Sequence, residues 1–473
     1  MEQATASESL CSGTTQKRPM EVFGSSGARG IANEELTPAF VLRVAKAAGT
    51  ALDAERFAVG RDTRTTGGML VDAVASGLAS VGADVDRLGI VPIPGVQAYA
   101  AAEGVPAIVV TASHNPPQYN GVKVIGPDGV ELAVDELERI EATLLAEAFA
   151  DVRWDAVGTA RHVDGTRRRY VEDVVAAVDR ERIADAELTV ALDPGHGAGA
   201  LTSPTVFRKL GCRVVTINAQ PDGHFPGRDP EPIVENLAEL GDLVAASGAD
   251  VGIAHDGDAD RAIFFDETGT YLEGDATFAA LAAAELEAGD AVVSAVNVSQ
   301  RTVDVAREAD ADLELTPIGS TNIITRIREL QAAGRRVPIA GEGNGGVFFP
   351  EYRLARDGAY VAARFLELLA ETPASELIAP YDGYANVRKN VGYDAAPERD
   401  AMLEAVAAYV QEVDTDVTTT DGFRIDFGDA WVLARPSGTE PLVRIYAEAR
   451  ERERAATLAE ALYDRLIAAS ETV

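Results

Sequence analysis

The sequence predicts an α/β fold: three α/β blocks followed by a smaller α+β domain. Three observations carry this reading. Short apolar runs alternate with stretches of helical apolar spacing through most of the chain. That alternation stops after Pro380. The length, 473 residues with 47% hydrophobic content, exceeds what one core usually supports.

In the first block FAVGRD and ADVDRLGIV read as strands around a helix, GGMLVDAVASGLASVG. LTVALDPG, SPTVFRKLGC and RVVTIN repeat the order, as do AVVSAVNVS, VDVAREADA and LELTPIGS. Each is a βαβ-like unit, which points to doubly wound or three-layer domains. The tail differs. YANVRKNVGYD, a helix over 397–412, GFRIDFGDAWVLARPSG and LVRIYAEAR mix elements in another order before an amphipathic last helix, ERERAATLAEALYDRLIAAS. Boundaries are expected near 167, 271 and 382, giving domains 20–167, 168–271, 272–382 and 383–473. Residues 1–19 are polar and aperiodic and read as a disordered extension or a start site assigned too early.

Charge excludes some partners. Forty-two basic against 76 acidic residues leave −34, so nucleic acid and anionic membranes are not expected. Only five lysines occur: Lys17, Lys46, Lys123, Lys209 and Lys389. An acidic, lysine-poor chain is read as salt-adapted, because high salt screens its self-repulsion. No apolar run approaches the roughly 18 residues that span a bilayer, and the first residues resemble neither a signal peptide nor a lipid anchor, so a cytoplasmic protein is expected. Cys11 and Cys212 are too few and too far apart for a metal site and are read as inert.

Chemistry concentrates in a few segments. After the apolar run VPAIVV come Thr111-Ala112-Ser113-His114-Asn115-Pro116-Pro117-Gln118, where two prolines forbid helix and hold Ser113 on a turn at a strand end. With Lys123 ten residues on, Ser113 is placed like a nucleophile or phosphate carrier. VGIAHDGDADRAIFFDETG sets Asp256, Asp258 and Asp260 at alternate positions between two apolar strands. Three crowded carboxylates suit Mg²⁺; otherwise they form a solvated acidic turn. The neighbouring Arg261 favours the metal, since it would face an anion that the metal also holds. Asp256, Asp258, Asp260 and Glu267 nearly match EF-hand spacing, but Arg261 stands where that loop needs glycine, and the flanks are strands.

LDPGHGAGA, with Gly195, Gly197 and Gly199, lacks dinucleotide-site spacing and reads as a structural glycine turn. GEGNGG carries Glu342 and Asn344 on a loop open to a polyhydroxyl ligand, or is a plain turn. RPSGTEP joins Arg435, Ser437, Gly438 and Thr439 in a loop that fits a phosphate dianion; the alternative is a capped turn.

FGSSGARG, VGRDTR, TASHNPPQYNGVKV, DGDADR, TPIGSTNI, GEGNGG and RPSGTEP occur in the order seen in the α-D-phosphohexomutase family, which the chain resembles over about residues 20–473. The resemblance implies three topologically related α/β domains and a phosphate-gripping α+β domain around a central active-site cleft. It implies that Ser113 carries a phosphate in the active enzyme and that this phosphate, with Asp256, Asp258 and Asp260, holds Mg²⁺. Arg29 and Lys123 match active-site positions, the latter acting electrostatically or in proton transfer, while His114 orients the loop. Arg261 would stand near the transferring group. Gly319, Glu342 and Asn344 match sugar-contacting loops, and Arg435, Ser437, Gly438 and Thr439 the grip on the non-reacting phosphate. The expected partners are hexose phosphates and a hexose 1,6-bisphosphate. Ser320, Asn344 and Gly346 depart from members with a histidine and a serine in these loops. The sugar stays open between glucose, mannose and glucosamine phosphates. The expectation leans to glucose and mannose. A metal-dependent sugar phosphatase and a non-catalytic sugar-phosphate binder are the other classes.

Overall fold

The computed structural model describes residues 22–23, 27–437 and 440–470. The expected extension 1–19 with Cys11, and Gly438 and Thr439 of the RPSGTEP loop, lie outside the described residues.

Among the described residues the strands form four sheets. The first contains β1 (Ala28–Ile31), β2 (Arg56–Arg61), β3 (Asp84–Ile90), β4 (Ala107–Val110), β5 (Tyr119–Ile125) and β6 (Ala160–His162). The second contains β7 (Thr189–Asp193), β8 (Arg213–Thr216), β9 (Val251–Ala254), β10 (Ile263–Phe265) and β11 (Tyr271–Leu272). The third contains β12 (Ala291–Ala295), β13 (Asp312–Thr316), β14 (Ile339–Gly341), β15 (Val347–Phe349) and β16 (Arg353–Arg356). Read from the matching edge, the orders are β3-β2-β4-β5-β1, β8-β7-β9-β10-β11 and β13-β12-β14-β15-β16, with β6 added beside β3. The three blocks share no local sequence repeat, yet they share one pairing plan.

The sheets are mixed, each adding an antiparallel return to the βαβ-like unit expected. The first three strands of each plan run parallel, and the fourth turns back antiparallel through a hairpin: β4 to β5, β9 to β10, β14 to β15. The central strands AIVV and VGIA are buried at every position, as parallel strands covered on both faces must be. The three reversing hairpins carry TASHNPPQ, HDGDADRA and EGNGG. The pairing plan thus puts the chemistry-bearing loops at equivalent places.

The fourth sheet, β17 (Ala385–Gly392), β18 (Asp416–Thr418), β19 (Phe423–Asp426), β20 (Ala430–Pro436) and β21 (Leu442–Ala449), is wholly antiparallel. The helices Ala396–Glu412 and Arg452–Ser470 cover it through Met402, Val406, Leu462 and Leu466. Arg424, 1% exposed, ties it to the third domain by donating to the carbonyls of Val296 and Val298. A single apolar cluster runs through the second and third domains, with Phe264 against Phe365 at 4.2 Å. Among the described residues no helix is long and apolar enough to cross a membrane.

Candidate active site

Ser113 is 1% exposed and sits at φ +50°, a left-handed conformation that non-glycine residues rarely adopt. Thr111 Oγ1 accepts from the Ser113 N–H at 2.9 Å and lies 2.8 Å from Asp62 Oδ2 and 3.0 Å from Asp258 Oδ2. Arg64, fully buried, pairs with Asp62 through Nε at 3.0 Å. Its two terminal nitrogens donate to the carbonyls of Ser113, Asn115, Pro116 and Tyr119 at 2.6–3.0 Å. One guanidinium therefore fixes the whole hairpin, a task for its planar fork of donors.

The hairpin delivers Ser113 to the carboxylates. Ser113 Oγ donates to Asp256 Oδ2 at 2.6 Å. Asp256, Asp258 and Asp260 are at most 2% exposed, and one oxygen of each lies within 4.8 Å of the others. Asp258 Oδ1 and Asp260 Oδ1 are buried without a hydrogen-bond partner among the described residues. Buried orphaned carboxylate oxygens crowded together are costly unless a cation joins them, so the set fits a hard divalent ion. The solvated acidic turn is excluded by this burial. Glu267 bonds Ser375 instead, outside the cluster.

LDPGHGAGA is the structural turn expected, with a specific task. An added Cβ at Gly197 would stand 2.5 Å from the Gly257 carbonyl, and Ala198 N–H donates to that carbonyl at 2.9 Å. Arg228 links Asp193 to the His255 carbonyl at 2.8 and 2.6 Å. The glycine turn clamps the aspartate loop from behind.

Four cations face the cluster. Arg356 Nη2 donates to Asp260 Oδ2 at 2.5 Å. Arg261 Nε stands 3.9 Å from Asp256 Oδ2 and 3.8 Å from Asp260 Oδ1, and its Nη2 is 3.2 Å from His114 Nδ1. Lys123, 3% exposed, is no surface lysine: Nζ lies 3.6 Å from Glu131, 3.9 Å from Asp260, and has no hydrogen-bond partner among the described residues. Arg29 Nη1 donates to Asn115 Oδ1 at 2.8 Å, and burial lowers its pKa.

Burial, then repulsion from Asp260 and Asp258, holds Asp256 well above the usual carboxylate range. Burial would raise Asp260 too, but Arg356, then Lys123 and Arg261, outweigh it and hold Asp260 low. Burial, then Arg261 and Arg29, pushes His114 down to about 3, so it is neutral at pH 7 with Nδ1 3.3 Å from Ser113 Oγ.

Beside the cluster opens a cavity of about 490 Å³ whose lining includes Arg261, Glu342, Asn344, Asp275, Asn297 and Arg388. Glu342 and Asn344 thus share this cavity with Arg261 of the aspartate hairpin. Gly319 and Arg435 do not line it. Their two loops meet instead at Asp421, which accepts from the N–H of Ile318, next to Gly319, at 3.2 Å and pairs with Arg435 Nη2 at 3.0 Å. Ser437 closes the described part of that loop and accepts from Glu440 N–H through Oγ. Sequence reasoning does not single out Arg64, Arg356, Asp421, Asp275 or Arg388. VGRDTR is the one motif that signals any of them, since it holds Arg64 and its partner Asp62.

A serine, three carboxylates and an arc of cations, delivered by equivalent hairpins of like-ordered sheets, define a phosphoryl-transfer enzyme built from repeated α/β domains. Family models described as phosphoglucomutase/phosphomannomutase alpha/beta/alpha domains I, II and III and C-terminal domain match residues 20–151, 168–269, 273–384 and 390–465. A Thermococcus kodakarensis protein named phosphoglucomutase/phosphomannomutase is 41% identical over 447 residues, covering 92% of this chain and 96% of that relative. A Methanopyrus kandleri protein named probable phosphoglucosamine mutase is 38% identical, covering 93% and 97%. The crystal structure of a phosphoglucomutase/phosphomannomutase family protein from Burkholderia thailandensis superposes with a TM-score of 0.82 at 26% identity, covering 95% of this chain and 97% of that one. The chain belongs to the phosphoglucomutase/phosphomannomutase family, the α-D-phosphohexomutases, and is an enzyme of that isomerase class.

Proposed function

We propose that this enzyme is cytoplasmic and interconverts the 1- and 6-phosphates of glucose and mannose, through a phosphate carried on Ser113 and a hexose 1,6-bisphosphate intermediate. The observation that carries this is Ser113 Oγ, buried and 2.6 Å from Asp256 in a carboxylate cluster with two orphaned oxygens. Domains divide near 167, 271 and 382 in this reading.

Asp256, Asp258 and Asp260, with an oxygen of the Ser113 phosphate, would hold Mg²⁺. Bound there, the ion supplies charge neutralisation and fixes the phosphoryl group for in-line transfer. The chain's own residues do the rest. Arg261 and Lys123 stand where negative charge gathers on the phosphoryl oxygens, and Arg29 holds the loop that presents them. As the hydroxyl oxygen of the bound hexose phosphate bonds to phosphorus, its proton passes on to Ser113 Oγ, which leaves as a neutral hydroxyl. The bond from phosphorus to Ser113 Oγ breaks, leaving a bisphosphate. After the sugar turns over in the cleft, its other phosphate returns to Ser113. Glu342 and Asn344 contact the sugar hydroxyls, with Gly319 giving close backbone approach. Arg435, Ser437, Gly438 and Thr439 hold the phosphate that is not reacting, Arg435 leaving Asp421 to do so.

A second reading, phosphoglucosamine mutase, has support of its own. The cavity is lined by Glu231, Glu235, Asp275 and Glu342, which would favour an ammonium at C2, and relatives with that name lie at 37–39% identity. The test is a mutase assay in molar KCl with Mg²⁺ and a trace of hexose 1,6-bisphosphate, offering the three 1-phosphates in parallel. The glucose or mannose substrate should turn over fastest. A preference for glucosamine phosphate of about tenfold, 1.4 kcal/mol at the transition state, would reverse the assignment. Ser113→Ala should abolish turnover while the melting profile persists, and sustained release of orthophosphate beside slow isomerisation would make the enzyme a phosphatase.

A further inference from the structure

A cavity of about 710 Å³, larger than that in the cleft, lies on the seam between the first two domains. Strand β3, the segment after β6 with the helix Thr166–Ala176, and the helix Ser203–Lys209 form its walls. Its charge is the reverse of the chain's: Arg87, Arg167, Arg168 and Lys209 line it against the single carboxylate of Asp164. In a chain with 42 basic and 76 acidic residues and five lysines, that is a local inversion. Arg167 and Lys209 have no ion-pair partner among the described residues, Arg87 pairs with Asp72 at 2.6 Å, and Arg168 is 3.9 Å from Glu172.

The wall is also short of acceptors. Gly165, at φ +84°, leads into the helix without a capping side chain, so the amides of its first turn lack one. Thr166, the first helical residue, is 6% exposed, and its Oγ1 has no hydrogen-bond partner among the described residues. Arg87 Nε is likewise buried and unpartnered. A helix N-terminus, an orphaned hydroxyl and four cations around one cavity are donors awaiting an anion. None of these residues has a part in the proposed mechanism.

We infer that this cavity binds a small molecule bearing a di- or polyphosphate group, held by the amides of Thr166 and Arg167, the Thr166 hydroxyl, and the side chains of Arg87, Arg167, Arg168 and Lys209. The volume leaves room for an organic part beyond the phosphates. The probe is radiolabelled inorganic pyrophosphate, in equilibrium dialysis against the full chain in about 1 M KCl. There the Debye length is roughly 3 Å and only contact pairing survives.

Arg167→Glu/Arg168→Glu and Lys209→Glu should each weaken binding at least about tenfold, and Thr166→Val should weaken it without a change of charge. All three should keep the wild-type melting profile and the mutase rate without pyrophosphate. Arg435→Ala, in the proposed phosphate grip, should retain the binding, as should Arg399→Glu, on the fourth domain, which changes the charge by as much as Lys209→Glu does. Loss in Arg435→Ala with retention in the seam variants would move the binding to the proposed phosphate grip and overturn the site. Equal loss in Arg399→Glu would make it an effect of net charge, and no binding to the wild type would end the proposal.

Discussion

Two buried ions, Asp62 and Arg64, decide the shape of the Ser113 hairpin, and neither touches the cleft cavity. Removing one partner of a buried pair leaves the other uncompensated, which costs about 3–5 kcal/mol. Arg64→Leu should therefore lower unfolding stability by that amount in urea titration and remove mutase activity. Arg64→Lys keeps the charge but not the fork, so it should keep more stability than Arg64→Leu while turnover still falls; equal turnover to the wild type would show that the hairpin holds itself. Asp275 makes a different prediction. Burial, then Glu448, raises it to about 7, above its unfolded value. Ionised Asp275 thus opposes folding, fully above pH 7 and progressively less as pH falls toward its unfolded pKa. Asp275→Asn should raise the melting temperature at pH 8 and raise it much less near pH 4.5. An equal shift at both values would assign the effect to packing instead of charge.

The element that matters is the reversing hairpin, because its repetition brings distant segments of the chain to one centre. Gly257 shows how close the approach is: a Cβ there would lie 2.6 Å from the Ser113 carbonyl oxygen, backbone against backbone. Gly257→Ala should push the serine and aspartate hairpins apart, costing about 1–3 kcal/mol in stability. It should reduce kcat about a hundredfold while KM changes little, since the displaced groups are the reacting ones in the proposed mechanism. A proportionate rise in KM would mean that the substrate, and not the serine, had moved. The same geometry explains what could be read from sequence. Ser113 and the aspartates stand in short runs whose prolines and crowded charges announce themselves within a few residues. Arg356 comes to Asp260 from β16, 96 residues on, and Asp421 joins the Gly319 and Arg435 loops across domains. Such partners are fixed by strand order, and the pairing plan of the three sheets leaves no local repeat to reveal it. Strand direction within each sheet is not written in the sequence for a related reason. An apolar strand buried on both faces reads the same whether its neighbour runs parallel or antiparallel.

At the scale of the whole molecule, charge governs how the protein responds to its solvent. The chain carries −34, with 37 arginines supplying nearly all of its positive charge once five lysines are subtracted from 42 basic residues. Many arginines sit in exposed pairs, such as Arg43 with Glu147 and Arg454 with Asp429, each worth about 0–1 kcal/mol and weakened by salt. The uncompensated carboxylates repel one another over the whole surface, and that repulsion opposes the compact state more than it does the expanded chain. Salt weakens the pairs and the repulsion alike, with opposite consequences for stability. With 34 charges unpaired, relief of repulsion should outweigh the loss of surface pairs, so the melting temperature should rise as KCl is added. The form of the rise identifies its cause. Screening saturates near 1 M, where the Debye length is about 3 Å, whereas strengthened apolar burial from excluded salts continues to grow. A melting temperature that climbs steeply from about 0.1 M and flattens by about 1 M KCl makes this an acidic protein fitted to salt. A flat profile would make its acidity incidental, and a linear climb would place the effect in the core.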